Sequence, residues 1–290
     1  MNNTALLGLL AETSIHAGAG QMAGVIDLPI QREAHTAWPV VYGSAVKGAL
    51  RTLAEEQKAP WVMAVFGPET GNASEHAGAL LVGDARLLLL PVRSLTSHFK
   101  WVTCPALLRR VRADLERLGL PAFAAAAIPE IEDANTALLL EGAANALFLE
   151  EFRFETRATD LSAVIPTLAG LMGREDAAAA LQKQLVVVGD DRFSHLARYA
   201  TPVNPHVAID NATKTVKSGA LWYEESLPPD TVLYVSLHAQ AARVKGETLT
   251  AAEVLDRFLT LFARPYLQLG GNETVGMGWC KVTICRGKGE

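Results

Sequence analysis

The sequence predicts an α+β fold, with helices laid on one face of an antiparallel sheet. Three observations lead there. Residues 231–240 (TVLYVSLHAQ) alternate as a half-buried strand does. Residues 105–118 and 251–264 carry apolar positions at helical spacing. Strands and helices interleave, yet long irregular insertions separate them, which argues against regular βα repeats.

Taken in order, residues 5–16 are apolar and read as a first buried strand, broken by the small-residue turn AGAGQMAG at 17–24. A helix is expected over 44–57, then a strand or strand pair over 79–90 that ends at Pro91. The helix at 105–118 places Leu107, Leu108, Val111, Leu115 and Leu118 on one face, with Arg109, Arg110, Arg112 and Arg117 mostly on the other. The alanine-rich residues 121–132, bounded by prolines, receive no assignment. Residues 148–159 have the period of a strand, and two short helical patterns follow at 161–170 and 174–185.

Residues 189–219 form a long polar passage holding Arg192, Arg198, Lys214 and Lys217. A loop of that length is functional or disordered. Apolar anchors at Val203, Val207, Ile209 and Val216 favour an ordered ribbon, followed by Trp222-Tyr223-Glu224-Glu225. Its aromatics could stack on bases. After the 231–240 strand and the 251–264 helix, strands at 267–271 and 276–285 flank a glycine loop. No internal repeat is found.

The 290 residues suffice for one large domain or two small ones. Half are hydrophobic and a fifth charged, as in a soluble globular protein. A net charge of −5 argues against a surface basic all over but leaves room for a local basic groove. Three cysteines, with no C-x-x-C pair, speak against a disulfide framework or a cysteine zinc site. With neither a secretory leader pattern nor an apolar run of about twenty residues, a cytoplasmic protein without membrane partners is expected.

The chain is organised around residues 24–51, GVIDLPIQREAHTAWPVVYGSAVKGALR. Asp27 stands as a lone carboxylate on a proline-stiffened loop, able to take a proton or bind a divalent ion, or merely to form a turn. His16 could assist it, although a lone histidine more often serves a structural hydrogen bond. Ser44 is expected to cap the helix, leaving Lys47 in the first turn and Arg51 one turn on. Two cations beside a helix N-terminus suit a polyanion backbone, while the plain alternative is a solvated helix face. In the terminal loop, Gly270, Gly271, Gly276 and Gly278 serve either a hairpin with positive-φ positions or close approach to a phosphate chain. No Ser-His-Asp order, H-E-x-x-H or P-loop pattern is present.

Three blocks together, VIDLPIQREAHTAWPVVYGSAVKGALR, NATKTVKSGALWYEESLP and QLGGNETVGMGW, resemble the RAMP-type backbone subunits of type III-B (Cmr) CRISPR effector complexes, of the Cas-seven superfamily. They span the chain in the family's order. The resemblance implies a single RAMP domain over 1–290 with a ferredoxin-like, RRM-related core. Large insertions would form a palm and a β-hairpin thumb, the thumb at about 190–221 and a helical insertion at about 105–145. It implies an endoribonuclease of antiviral defence that binds CRISPR RNA and, with other Cmr subunits, cuts complementary single-stranded RNA at regular intervals. Copies would stack head to tail as a filament.

By the same resemblance Asp27 is the acid needed for cutting and the ligand of a divalent ion, Mg2+ or Mn2+. His16 matches the histidine of SIHAG, and Tyr223 and Glu224 are weaker catalytic candidates. Ser44, Lys47 and Arg51 would grip the guide backbone, joined by Arg32 and the four loop glycines. Attack by the target's own 2′-hydroxyl would explain a demand for RNA. The alternative is a non-catalytic scaffold that binds guide RNA. A guide-processing endonuclease is disfavoured, because the long thumb looks built for stacking.

Overall fold

The computed structural model describes residues 3–20, 25–69, 71, 76–140, 146–244 and 246–287. Part of the turn expected at 17–24, and the end of the helical insertion expected at 105–145, lie outside the described residues.

At the centre, four strands stand in the order Trp279–Arg286, Thr4–Ala11, Val232–Ala239, Ala85–Arg93, each antiparallel to its neighbour. Numbered along the chain, that spatial order is 4-1-3-2. Helix Gly43–Glu56 lies between the first and second of these strands, and helix Ala251–Leu259 between the third and fourth. This is the β-α-β-β-α-β ferredoxin-like arrangement that the family resemblance implies. The turn that would join its second and third strands is replaced by residues 94–231.

The first strand shows why its sequence, TALLGLLA, lacks polar alternation. Ala5, Leu7, Leu9 and Ala11 pack with Val46, Leu50 and Ala54 of one core helix and Val254, Leu255 and Phe258 of the other. Leu6 and Leu10 point the opposite way, toward Leu168, Leu171 and Met172. A strand buried on both faces must be apolar at every position.

The expectation of helices on one face is therefore corrected. It holds for the two core helices, but helices Ile165–Met172 and Ala177–Gln184 cover the other face, together with most of the apolar stripe of Pro105–Arg117. The sheet is mixed rather than antiparallel, with 12 strands among the described residues. Beyond Ala85–Arg93 it continues through Phe99–Thr103, Leu185–Val188, Thr136–Leu139, Phe152–Ala158 and Leu147–Leu149. Phe99–Thr103 runs parallel to Leu185–Val188, and Thr136–Leu139 parallel to Phe152–Ala158. Parallel neighbours require a long crossover, and for the first pair residues 104–184 supply it.

Smaller differences concern boundaries. The first strand ends at Ala11, five residues before His16. Residues 79–90 form a strand pair, Leu80–Val82 and Ala85–Arg93, the second running through Pro91. The pattern at 148–159 is a tight hairpin turning at Glu150. Of the unassigned alanine-rich residues, only 125–127 form a short 3-10 turn.

The polar passage at 189–219 is not an irregular loop. It begins as helix Asp190–Tyr199, which has aspartates in its first turn, Arg198 in its last, and buries Phe193, Leu196 and Ala197. Strands Val203–Ile209 and Val216–Glu225 follow as an antiparallel hairpin forming its own two-stranded sheet. Val203, Val207, Ile209, Val216 and Leu221 are exposed along it, and His206 stacks on Trp222 with ring centroids 5.5 Å apart. This is the hairpin thumb of the expected fold.

Candidate functional site

The segment after Val25 runs beside the base of the hairpin. The Leu28 N–H donates to the Tyr223 carbonyl at 3.0 Å, and the Glu225 N–H to the Leu28 carbonyl at 3.0 Å. This pairing sets Asp27 at the foot of the thumb. Its Oδ2 accepts the Tyr223 N–H at 2.8 Å, and the residue is otherwise exposed. Tyr223 is also exposed.

His16 lies on the inner side of the same base. Its neighbour Ile15 pairs with Leu227 through two backbone hydrogen bonds. The ring is buried, and Nδ1 lies 2.7 Å from the Glu225 carbonyl. A carbonyl only accepts, so Nδ1 carries the proton, and in the neutral ring Nε2 holds the lone pair. Glu224 is buried too, with Oε1 4.0 Å from His16 Nδ1 and 2.5 Å from the donating Asn272 Nδ2. Sequence reasoning did not single out Asn272, which sits in the glycine loop at φ 60°. Its only signal was the turn character of Gly-Gly-Asn.

The expected catalytic residues thus gather from two distant parts of the chain, but as two pairs. Asp27 with Tyr223 is open, and His16 with Glu224 is enclosed. Adjacent residues of one strand point to opposite sides, so Tyr223 and Glu224 cannot share a face.

The glycine loop packs on this chain itself. The Gly271 N–H donates to the His16 carbonyl and the Gly278 N–H to the Ser14 carbonyl, each at 2.8 Å. A Cβ on Gly270 would come within 2.4 Å of the His16 oxygen, and one on Gly278 within 2.1 Å of the Leu269 oxygen. Both have positive φ, so their glycine character is fixed by close approach within the protein. A Cβ on Gly276 would meet open space, and one on Gly271 would make ordinary contacts with the His16 ring and carbonyl oxygen.

The basic helix differs from expectation at its start. Ser44 lies inside helix Gly43–Glu56 and makes no cap; Asp84 Oδ1 instead accepts the Gly43 N–H at 2.7 Å. The cause is tertiary. Gly43 abuts the 82–83 backbone, which brings Asp84 to the helix end. Arg51 donates to the Gly67 and Pro68 carbonyls, each at 3.0 Å, and to Glu55 at 2.7 Å. Half-buried Lys47 has no hydrogen-bond or ion-pair partner among the described residues. Burial, and secondarily the Arg51 charge, hold its ammonium below the ordinary lysine range.

Arg32 spends its guanidinium internally, on the Ala37 and Ala197 carbonyls, on Thr201 and on buried Glu225. The arginines of helix Pro105–Arg117 are likewise engaged. Arg109 pairs with Asp190, Arg110 with Glu33, Arg112 with Glu116 and Arg117 with Asp114.

Among the described residues, no three of His, Cys, Asp and Glu come together to hold a metal ion. Asp27 offers one carboxylate where magnesium-like ions take about six oxygen ligands. These residues do not fit a resident ion. A groove of about 720 Å³ lies elsewhere, lined by Leu53, Leu261, Tyr266 and Trp279 among others and by none of the catalytic candidates.

The model of the RAMP superfamily matches residues 9–281. The chain belongs to the RAMP superfamily. Within that family it is 38% identical, over 96% of its length and 95% of the relative's, to a Pyrococcus furiosus protein named CRISPR system Cmr endoribonuclease Cmr4. The crystal structure of oligomeric Cmr4 from Pyrococcus furiosus superposes with a TM-score of 0.75 at 30% identity, covering 99% of both chains. A chain of the type III-B Cmr-beta complex bound to cognate target RNA matches in fold, with a TM-score of 0.76 at 24% identity over 97% of this chain and 96% of that one. Among the described residues, no helix of this RAMP protein is long and apolar enough to cross a membrane.

Proposed function

We propose that this chain is a backbone subunit of a type III-B (Cmr) CRISPR effector complex and an endoribonuclease within it. It binds CRISPR RNA and other Cmr subunits in the cytoplasm, stacks head to tail with its own copies, and cuts complementary single-stranded RNA at regular intervals. The observation that carries this reading is the exposed Asp27 carboxylate, oriented by the Tyr223 N–H at the foot of the hairpin. The chain bearing it is 38% identical to a Cmr endoribonuclease.

The chemistry is intramolecular within the RNA. The hairpin displaces one target nucleotide, which brings its 2′-oxygen in line with the adjoining phosphorus. Asp27 accepts the 2′-hydroxyl proton as the new O–P bond forms and the P–O5′ bond breaks; the departing 5′-oxygen takes a proton from water, leaving a 2′,3′-cyclic phosphate and a 5′-hydroxyl. Positioning supplies most of the acceleration, so a single weak base suffices. DNA lacks the nucleophile and is spared. Base pairing with the guide selects the sequence. The Lys47 ammonium, without a partner among the described residues, supports the guide-backbone role. A divalent ion, Mg2+ or Mn2+, would enter with the RNA, held by its phosphates and neutralising their charge.

The test is a complex assembled on guide RNA with wild-type or Asp27→Asn subunit and given end-labelled complementary RNA. Evenly spaced cuts that vanish in the variant, with target binding intact, support the reading. Binding without cutting by either protein leaves the guide-RNA scaffold.

A further inference from the structure

Glu225 makes more of the connections at the hairpin base than any catalytic candidate does. The residue is 2% exposed. Oε1 accepts the Thr201 hydroxyl at 2.6 Å and the Arg32 guanidinium, and Oε2 accepts the Ile30 N–H at 3.1 Å. Its own N–H donates to the Leu28 carbonyl, and its carbonyl accepts His16 Nδ1–H. Arg32 carries the link onward to the Ala197 carbonyl of helix Asp190–Tyr199 at 2.8 Å and to the Ala37 carbonyl at 2.7 Å.

One residue thus ties together the Asp27 segment, His16, the thumb and the helix that leads into the thumb. A buried carboxylate is costly unless fully paired, and a buried ion pair is poor evidence of added stability. What such a pair can specify is geometry. Among the described residues, the hydrogen bonds from the thumb to the Asp27 segment lie within two residues of Glu225: the Tyr223 N–H that orients the acid, the Leu28 pairing, and the Ile30 contact.

We infer that Glu225, held by Arg32 and Thr201, is a positioning residue for RNA cleavage that locks Asp27 and His16 to the thumb which displaces the scissile nucleotide. This inference rests on the endoribonuclease reading above. Glu225 touches neither substrate nor reacting atoms; it acts through the Asp27 segment and the His16 tautomer. An error of about 1 Å in such an arrangement costs about 100-fold in rate.

The experiment compares assembled complexes carrying wild type, Glu225→Gln, Glu225→Ala, Thr201→Val and Asp27→Asn, each given labelled complementary RNA. Single-turnover cutting at saturation is measured beside target affinity. The expected result is a split. Glu225→Ala cuts about 10- to 100-fold more slowly with target affinity within about twofold. Glu225→Gln, which keeps an acceptor oxygen but not the charge, and Thr201→Val, which keeps the ion pair, fall between it and wild type. If Glu225→Ala does not assemble, the two milder variants decide on the same criterion.

Cutting at the wild-type rate by the Glu225 and Thr201 variants while Asp27→Asn is inactive would overturn this inference alone. Parallel losses of affinity and cutting would overturn it as well, since they mark a purely structural role. Wild-type cutting by Asp27→Asn would instead overturn the catalytic reading beneath it.

Discussion

Asp27 is oriented by a residue 196 positions away in the chain: its Oδ2 accepts the backbone N–H of Tyr223 at 2.8 Å. The acid is therefore tied to the hairpin backbone. An asparagine at position 27 still presents a carbonyl oxygen to that N–H, so Asp27→Asn keeps the docking and removes the base. We expect single-turnover cutting to fall about 10²- to 10⁴-fold, the range for general-base catalysis, with target affinity unchanged. Comparing cutting rates and binding curves for the two complexes checks this; equal rates would move the chemistry to another group.

The start of the basic helix yields a stability prediction. Asp84 caps the Gly43 N–H and Ser44 does not. Asp84→Ala should cost about 1 kcal/mol, the usual loss on removing a helix cap. Ser44→Ala should stay within about 0.5 kcal/mol, as exposed substitutions do. Urea unfolding of the two variants checks the pair, and a larger loss from Ser44→Ala would restore serine as the cap.

How much of this was legible in the sequence depends on where each determinant lies. Local patterns placed the strand containing Tyr234 and the helices burying Leu108 and Phe258, because side-chain period is a local property. Asp27 and His16 stood out in their motifs. The contacts that orient them did not: the Tyr223 N–H on Asp27 and the Glu225 carbonyl on His16 lie about 200 residues along the chain and meet them only in the folded structure. The helix Asp190–Tyr199 was lost in a run of charges because only Phe193, Leu196 and Ala197 mark its buried face. Ser44 looked like a cap because serine is a good one; the Gly43 contact with the 82–83 backbone decided otherwise. Arg32 illustrates the same limit. Its charge is visible in sequence, and its consumption by buried Glu225 is not.

The donor set around Asp27 leads to a prediction about metal. With one carboxylate and no second acidic or imidazole cluster among the described residues, the isolated subunit should bind Mn2+ at Asp27 more weakly than about 1 mM, the weak end of built oxygen sites. Paramagnetic relaxation of water protons during Mn2+ titration measures this directly. Tight, saturable binding abolished by Asp27→Asn would show that a resident site exists.

Lys47 offers the last prediction, because its environment sets stability against binding. Its ammonium is half-buried, faces Arg51 and lacks an anionic partner among the described residues, which lowers its pKa below the ordinary value of about 10.4. Between that lowered value and the unfolded one, the unfolded chain binds more protons, so this group's contribution makes stability rise with pH. Below the lowered value both states are charged, and the folded chain bears the full cost of the desolvated cation. Lys47→Met should therefore leave the thermal midpoint at neutral pH unchanged or higher, and abolish this part of the alkaline rise. A bound phosphate reverses the balance by supplying the missing anion. The same substitution should then weaken guide-RNA binding and reduce the slope of log affinity against log salt by about 1. Melting curves from pH 7 to 10 and a salt titration of RNA binding test both halves. A lower midpoint with an unchanged salt slope would make Lys47 an ordinary structural lysine.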